Sequence, residues 1–398
     1  MYNINLKSNW REISYKKVVS IFLLSFLIPR ISSYDSVISC YHDIARNDVT
    51  EQIDPFLCTH IMLINSCFLN NSEQVIFPHI EDMTSVLNLK RMNKDLKILL
   101  TFLPKPEFIR NVIYDDKKFS NMINSMYNFT RLSGLDGFDI DWEFPAWGHG
   151  SSPSERDKFT ELIQRLHDIF NNPELTKKYL LTAAVSGPYT IASKSYNFSA
   201  MNTYLDFIQI MNYDFHMFSK LEPFVGFNAP LYAEPYEVYI AARMNSAYST
   251  EYYLKRGISP SKVVFGIPTY GRGYKLFEKR MHFPYAPAIG SSFLGGSYSY
   301  AVSCNYLVDK NFKFVWNERA VSGYLVNNDR DWIGLETERS VKEKASYAAK
   351  KKLRGIMIFA LFEDDYNGLC PGSRRNKMFL TKTAKKEFLK TRKRMNIL

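Results

Sequence analysis

Cysteine is scarce in this sequence: the 398 residues include five, at Cys40, Cys58, Cys67, Cys304 and Cys370. Five cysteines are too few to build a fold on disulfides alone. Their spacing contains neither the CxxC pairs nor the Cys/His pattern of a zinc site. Because the count is odd, at least one thiol is unpaired. We expect no metal and no cofactor.

Long apolar runs are also lacking, with one exception near the N-terminus. The run from Val18 to Ile28 follows four basic residues and precedes Pro29 and the small residues Ser32 and Ser33. This order is typical of a secretory signal, and the run is too short to span a bilayer. A buried first helix is the alternative. We expect residues 1–33 to be a signal peptide and the protein to be secreted. Three sequons fit export and glycosylation: Asn70, Asn128 and Asn197.

Acidic residues are the minority among the charges, since 40 Asp and Glu oppose 51 Lys and Arg for a net charge of +11. Much of the excess lies in the C-terminal run from Lys382 to Arg394. We interpret this run as a solvated face that ends in a basic tail at 391–398, rather than as a nucleic-acid surface. No nucleic-acid partner is expected, and no membrane association once the signal is removed.

A glycine-rich phosphate fingerprint is missing after the first β-rich run, which counts against a doubly wound sheet. Instead, β-rich runs alternate with amphipathic stretches such as Lys117 to Leu132, Glu155 to Phe170, Val238 to Arg256 and Ser340 to Lys352. The runs number eight: Val37 to His42, Ile61 to Phe68, Leu96 to Leu103, Gly137 to Trp142, Leu180 to Val185, Phe207 to Tyr213, Val263 to Pro268 and Gly355 to Leu361. The pattern predicts an α/β fold, a (β/α)8 TIM barrel.

One stretch, from about Gly273 to Trp332, breaks this rhythm. It is rich in Tyr, Gly and Ser, contains short alternating runs, and is too long for a βα loop. We predict a small α+β insertion domain at 273–334, between the seventh strand and the seventh helix. The barrel would occupy 34–272 and be completed by 335–390.

The segment from Leu135 to Pro145 carries the strongest chemical signal. Side chains alternate along a strand, so Asp139, Asp141 and Glu143 project to one side, while the apolar residues between them project to the other. Crowded carboxyls cannot all ionise easily, which raises at least one pKa and keeps an acid protonated for donation. A calcium or magnesium cluster is the alternative, because hard cations prefer such oxygens.

Asp136, Asp139, Asp141 and Glu143 reproduce the DxxDxDxE motif, and here the chain resembles the family 18 glycoside hydrolases, the chitinases and chitinase-like lectins. The resemblance extends from Val37 to about Leu389. Further segments carry it: Ile53 to His60, Met211 to His216, Gly266 to Arg272, and Glu363 to Asp365.

The resemblance implies a retaining hydrolysis in which the N-acetyl group of the substrate attacks the sugar carbon. Glu143 would be the acid and then the base, with Asp141, Asp139 and Tyr213 as its catalytic partners. Substrate-binding roles are implied for seven residues: Asp136, Met211, Asp214, Tyr41, Tyr270, Arg272 and Phe359. Arg272 could equally anchor the insertion domain through an ion pair. The resemblance also implies two disulfides, Cys40 with Cys58 and Cys304 with Cys370, and leaves Cys67 as a buried apolar residue.

Several sugar-stacking positions of the family lack their usual aromatic residue. Phe359 replaces the tryptophan of the last strand, Leu103 and Pro104 stand where Gly-Gly-Trp is usual, and Ala45 and Asn65 follow the first two strands. We therefore expect a monomeric enzyme that hydrolyses N-acetylglucosamine oligomers, with a lectin that only binds such glycans as the alternative. A secreted protein with a vestigial site is a third possibility.

Overall fold

Eight parallel strands form a closed barrel in the computed structural model, which describes residues 36–70, 72–373 and 375–395. The proposed signal peptide at 1–33 lies outside the described residues. The strands in chain order are β1 (Val37–Asp43), β2 (His60–Leu69), β3 (Val75–Ile76), β4 (Lys97–Phe102), β5 (Gly137–Ile140), β6 (Leu180–Ser186), β7 (Phe207–Met211), β8 (Val263–Pro268), β9 (Tyr270–Leu276), β10 (Ala288–Ser291), β11 (Ser297–Ser299), β12 (Phe312–Asn317), β13 (Ser322–Asn327), β14 (Asp331–Leu335) and β15 (Gly355–Phe359).

The barrel order is β1, β15, β8, β7, β6, β5, β4 and β2, and β2 pairs with β1 to close the ring. The eight β-rich runs of the sequence coincide with these strands, which confirms the TIM barrel. These strands could be predicted from the sequence because barrel strands are buried on both faces and are therefore apolar almost throughout. The short β3 pairs antiparallel with the end of β2.

A second, antiparallel sheet interrupts the barrel between β8 and β15. Its order is β10, β9, β14, β13 and β12, and β11 pairs with the first residues of β9, next to β10. The sheet runs from Tyr270 to Leu335, close to the 273–334 expected of the insertion domain. Each face has its own apolar cluster, one around Trp332 and Tyr274, the other around Leu325 and Ile333.

Helices surround the barrel. Within the described residues they are α1 (Asn47–Thr50), α2 (Met83–Met92), α3 (Pro106–Ile113), α4 (Asp116–Ser133), α5 (Glu155–Phe170), α6 (Tyr189–Ser195), α7 (Phe198–Tyr204), α8 (Ser246–Lys255), α9 (Tyr300–Ser303), α10 (Glu338–Lys350) and α11 (Phe379–Met395), with short 3₁₀ turns at Ile80–Asp82, Ala241–Arg243, Pro260–Lys262 and Cys304–Leu307. None of these helices is both long and apolar enough to cross a membrane.

Helix α4 illustrates how sequence fixes these elements. The Asp115 side chain accepts hydrogen bonds from the backbone N–H groups of Lys117 and Lys118 in the first turn of the helix, at 3.0 Å each. Gly134 ends the helix in the left-handed conformation at φ 76°, which costs glycine little. The buried residues between them recur every three or four positions, so one face packs on the barrel.

Two predicted segments differ from the structure. The helix expected from Val238 begins only at Ser246, because Asn245 caps its first turn by accepting from Tyr248 N at 2.9 Å. Before it, Tyr239 adopts a left-handed φ of 52°. At the C-terminus, α11 continues to Met395, so the basic residues of the expected tail at 391–395 are helical. The last three residues of that tail lie beyond the described part of the chain.

Two disulfides join Cys40 to Cys58 and Cys304 to Cys370, and Cys67 is a buried free thiol. These are the pairs that the family resemblance implied. Burial raises the pKa of Cys67 well above its ordinary value, which disfavours the reactive thiolate. Of the three sequon asparagines, Asn128 is exposed, whereas Asn70 and Asn197 are half-buried and accept backbone hydrogen bonds. Glycosylation therefore stays a prediction, best supported at Asn128.

We expect the two disulfides to stabilise unequally. Their sequence separations are 66 residues for Cys304–Cys370 and 18 for Cys40–Cys58. Loop-closure entropy then predicts that replacing each pair by serine lowers the free energy of unfolding by about 4 and about 3 kcal/mol respectively. Guanidinium unfolding of the two double variants measures this order. A non-reducing peptide map that joins Cys67 to any partner would contradict the pairing itself.

Candidate active site

The acidic residues of the motif lie on β5 and directly after it. Asp139 and Asp141 are buried inside the barrel, whereas Phe138, Ile140 and Trp142 belong to the core between the strands and the helices. Glu143 follows at the C-terminal end and is open to solvent. The alternation of a strand thus places an acid at three successive depths, with Glu143 at the mouth.

Asp139 is held by neighbours from three other strands. Its carboxylate accepts hydrogen bonds from Tyr41 Oη at 2.6 Å, Thr182 Oγ1 at 2.6 Å and Gln209 Nε2 at 3.0 Å. Gln209 also donates to Tyr41 Oη at 2.9 Å. Burial raises the pKa of Asp139, although these donors act in the opposite direction. They also use the oxygens that a calcium or magnesium ion would need, which favours proton chemistry over the metal alternative.

Thr182 and Gln209 were missed by the sequence analysis. They lie on β6 and β7 and reach Asp139 only because the barrel closes. A signal was nevertheless present, since each is a polar residue flanked on both sides by apolar residues of its strand. Buried polar side chains are normally hydrogen-bonded, so such residues point toward a polar partner within the barrel.

Asp141 lies between two other carboxyl groups. Burial, then Glu143, then Asp139 raise its pKa well above the ordinary range. Its Oδ1 atom is buried and finds no hydrogen-bond partner among the described residues. A buried acceptor without a donor is costly, so this oxygen is well suited to receive an N–H group from a ligand.

Glu143 has the pKa that a proton donor near neutral pH requires. Although part of the Glu143 side chain is accessible to solvent at the mouth, its carboxyl is enclosed by the surrounding barrel residues. This desolvation, followed by the negative charge of Asp214, raises the pKa of Glu143 to about 7. The following loop is fixed by buried Glu155, which accepts from Arg110 Nε at 2.7 Å and Ala146 N at 2.9 Å. The segment that carries the proton donor is therefore held in place by hydrogen bonds.

Asp214 and Arg272 form an ion pair at the rim. Arg272 Nε donates to Asp214 Oδ1 at 2.8 Å, and the guanidinium makes a second contact with the same oxygen. The backbone of Asp214 is left-handed at φ 56°, and its N–H donates to Asn228 Oδ1 at 2.9 Å. Asn228 was also missed by the sequence analysis. Because Arg272 is on β9, the pair links the barrel rim to the second sheet, which is the anchoring role considered for Arg272. Its contact with a sugar stays a prediction.

Phe359 lies at the centre of an aromatic floor. Its ring is half-exposed, and its centroid is 5.5 Å from Tyr41, 5.7 Å from Tyr213 and 6.1 Å from Tyr270. Met211 ends β7 beside this group and is largely buried. The expected site residues of β1, β7, β9 and β15 are therefore brought together by the closed barrel.

Asp136 is an exception among the expected substrate contacts. It precedes β5, so seven residues of extended chain, roughly 20 Å, separate it from Glu143. Its carboxylate contacts Lys90, lies 3.2 Å from Lys177 Nζ and accepts from Ile98 N at 2.9 Å. Burial would raise the pKa of Asp136, but these partners lower it. The assignment of Asp136 to substrate binding is corrected: the Asp136 carboxylate forms ion pairs at the opposite end of the barrel.

Three exposed positions near the ends of β1, β2 and β4 carry no aromatic ring. Ala45, Asn65 and Leu103 are exposed after or within β1, β2 and β4. Asn65 is left-handed at φ 56° and donates to Asp43 Oδ2 at 2.9 Å. These positions therefore present a methyl group, an amide and an isobutyl group to solvent.

Comparison with known proteins agrees with this geometry. The family profile "Glycosyl hydrolases family 18" matches residues 37–364. Mouse chitotriosidase-1 is 31% identical over 336 residues, which cover 79% of this chain and 69% of that protein. Mouse oviduct-specific glycoprotein is 29% identical over 340 residues, 81% of this chain and 45% of its own.

Solved structures include both active and inactive relatives. The immunomodulatory active chitinase of Trichuris suis has a TM-score of 0.81 at 26% identity, with 88% of this chain and 99% of the other covered. Human YKL-39, described as a pseudo-chitinase with retained chitooligosaccharide binding properties, has a TM-score of 0.80 at 27% identity and the same coverage.

Proposed function

The chain belongs to glycosyl hydrolase family 18, and from this membership we propose that it hydrolyses β-1,4-linked N-acetylglucosamine oligomers with Glu143 as general acid and base. The observation that carries the proposal is the pKa of Glu143, raised to about 7 above the buried pair Asp139 and Asp141. A carboxyl with such a pKa is substantially protonated near neutral pH and can give its proton to a leaving oxygen.

The proposed reaction has two steps. First, Glu143 protonates the glycosidic oxygen while the carbonyl oxygen of the substrate's acetamido group attacks the anomeric carbon, so that the glycosidic bond breaks and an oxazolinium ion forms. Asp141 accepts the acetamido N–H with its unpartnered oxygen, and the Tyr213 hydroxyl donates to the acetyl oxygen. Second, water attacks the anomeric carbon and Glu143 takes back a proton, which restores the acetamido group with retention.

The test is a turnover assay with fluorogenic chitobiose and chitotriose substrates, run beside calorimetric binding of the free oligomers. Release of the fluorophore supports the enzyme. Binding without release favours the second candidate, a lectin that holds N-acetylglucosamine glycans. That candidate is favoured by the ring-free rim at Ala45, Asn65 and Leu103 and by the likeness to a pseudo-chitinase. If the oligomers are neither bound nor cleaved, both the enzyme and the lectin are overturned.

We expect kcat/KM to fall as the pH rises through about 7. Glu143 must be protonated to act as the acid, and its free-enzyme pKa is raised to about 7. The negative charge of Asp214 contributes to this raised pKa. Asp214→Asn should therefore move the falling limb toward lower pH, whatever its effect on the maximal rate. A limb that stays in place in a pH profile of this variant would contradict the assignment.

We propose that short oligomers are preferred over polymer and that Phe359→Trp improves their turnover. The Phe359 ring contacts three tyrosines and is half-exposed, and an indole in its place would present a wider apolar face to a sugar. Stacking contributes roughly 0.5–1.5 kcal/mol, so kcat/KM should rise severalfold, up to about tenfold. A lower kcat/KM with an unchanged melting temperature would mean that the floor fits another ligand.

We also propose that the protein is exported and acts as a monomer. Two disulfides are typical of an oxidising compartment, and the apolar run before residue 34 supports a signal peptide. Peptide mapping of protein recovered from culture medium tests this: its N-terminus should begin near residue 34.

A further inference from the structure

Basic side chains are concentrated where three helices end on the N-terminal side of the barrel. We name this surface the basic end and define it by three segments, 255–262 after α8, 350–354 after α10 and 386–395 of α11. These segments contain one acid, Glu387. Their exposed cations are Lys255, Arg256, Lys350, Lys351, Lys352, Lys386, Lys390, Lys393 and Arg394. Of the three segments, only the last was singled out by the sequence analysis, as a solvated face.

Hydrogen bonds between the segments hold them in one surface. The Arg392 guanidinium donates to Leu353 O at 2.7 Å, which joins the end of α11 to the residues after α10. Arg354 N donates to Pro260 O at 2.9 Å, which joins the residues after α10 to those after α8. The cations of three segments that are far apart in sequence therefore form one continuous surface, which only the folded barrel brings together.

Within the described residues, few acids oppose the basic end. Glu251 of α8 contacts Lys351, and Glu387 Oε2 lies 3.2 Å from Lys390 Nζ. The dipole of each helix favours a cation in its last turn, and one cation at each helix end would satisfy that preference. The run 350–352 alone is three consecutive exposed lysines. Like charges repel within a Debye length of about 10 Å, and an anionic partner would relieve this crowding.

The basic end offers charge rather than apolar surface to a partner. Within the described residues, none of its large apolar side chains is exposed. Stable protein interfaces use buried aromatic or aliphatic anchors, so a folded protein fits this surface poorly. Seven of the nine exposed cations are lysines. Lysine is a point charge on a flexible stem, which suits anionic groups spaced along a flexible polymer.

We propose that the basic end binds a sulfated polysaccharide. The choice among polyanions rests on the proposed export of the protein. Anionic lipids are concentrated on the cytoplasmic leaflet of membranes and nucleic acids lie inside cells, whereas sulfated polysaccharides lie outside them. The inference does not depend on the proposed glycosidase activity.

The position of the basic end leaves the candidate active site open. The barrel strands are parallel, and β15 begins at Gly355, directly after the basic end. It ends at Phe359, in the aromatic floor of the mouth. A polymer bound at the basic end therefore lies at the opposite end of the barrel from Glu143. The protein would be held on an anionic matrix while its mouth stays accessible to a glycan.

The experiment measures the affinity of the exported protein for dextran sulfate as a function of salt concentration, with neutral dextran of the same length as the uncharged probe. We expect dextran sulfate to bind at low salt and to dissociate steeply as salt rises, because binding releases counterions. Neutral dextran should not bind. The triple variant Lys352→Gln, Lys393→Gln and Arg394→Gln should bind dextran sulfate at least about tenfold more weakly at low salt, with a shallower salt dependence.

The triple variant Lys279→Gln, Arg280→Gln and Lys313→Gln is the matched control. It also removes two lysines and one arginine, all exposed and all outside the basic end, between β9 and β10 and on β12. The control should bind dextran sulfate within about twofold of the wild type, because screening limits the reach of distant charges. Both triple variants should keep the wild-type melting temperature, since exposed cations are replaced by polar side chains.

Lysine acetylation followed by mass spectrometry gives a second measurement that needs no variant. Bound dextran sulfate should protect Lys352 and Lys393 of the wild-type protein from acetylation and leave Lys279 reactive. Equal protection of all three lysines, or equal weakening by the two triple variants, would mean that net charge rather than the basic end holds the polymer. The inference would then be wrong.

The class of partner is tested in the same assay. If phosphatidylserine vesicles or double-stranded DNA bind more tightly than dextran sulfate at a matched concentration of anionic groups, the partner is not a sulfated polysaccharide and the inference is overturned. Absence of any binding to dextran sulfate overturns it as well. None of these outcomes alters the proposed glycan site, which the fluorogenic assay tests separately.

Discussion

Glu143→Gln is expected to lower kcat for chitotriose hydrolysis by on the order of a hundredfold to ten-thousandfold while leaving the fold intact. The amide keeps the shape of the side chain but has no proton that it can transfer to the leaving oxygen. Glu143 is open to solvent and lies beyond the last residue of β5, so the substitution leaves the buried hydrogen bonds of Asp139 in place. Steady-state rates measure the loss of kcat, and thermal melting measures whether the fold is intact.

Glu51→Gln is the matched control, because Glu51 is an exposed glutamate directly after α1. It should retain full activity. If the Glu143→Gln protein turns over substrate at the wild-type rate, the assignment of Glu143 as the acid is wrong. Loss of activity together with a large fall in melting temperature would instead point to a structural role.

The strands were predictable because local pattern and tertiary environment agree. The barrel strands, such as Val263–Pro268, are apolar almost throughout, which is what burial inside the barrel and beneath the helices requires. The helix expected from Val238 was placed too early for a related reason. Its apolar periodicity continues through Val238 and Ile240, but these residues are exposed. Periodicity alone does not distinguish a core face from an exposed surface.

The acids on β5 were predictable from the alternation of one strand, whereas their partners were not. Thr182 and Gln209 reach Asp139 from positions 43 and 70 residues away in sequence, and only the closed barrel defines those contacts. For Asp136 the error was the opposite one, a contact predicted where none exists. The motif groups Asp136 with the catalytic acids by sequence spacing, although it lies far from them in space. Its ion pairs with Lys90 and Lys177 fix it at the far end of the strand.

Asp141→Asn is expected to lower kcat by on the order of a hundredfold to a thousandfold, the range for removing one group that stabilises developing charge. The carboxylate oxygen Oδ1 is buried without a partner among the described residues, and in the proposed mechanism it accepts the acetamido N–H and faces the positive oxazolinium ion. An amide can place either oxygen or NH₂ there and has no negative charge. Because a crowded buried carboxyl is replaced by a neutral group, the melting temperature should hold or rise.

A substrate series tests the same chemistry from the ligand side. Successive fluorination of the N-acetyl methyl group makes the carbonyl oxygen a poorer nucleophile, so the wild-type rate should fall with each fluorine if that oxygen attacks the anomeric carbon. Asp329→Asn, at an exposed aspartate in the turn between β13 and β14, is the control and should behave as wild type. If fluorination leaves the wild-type rate unchanged, an enzyme carboxylate must be the nucleophile. Asp141 rather than the substrate would then supply the attacking oxygen.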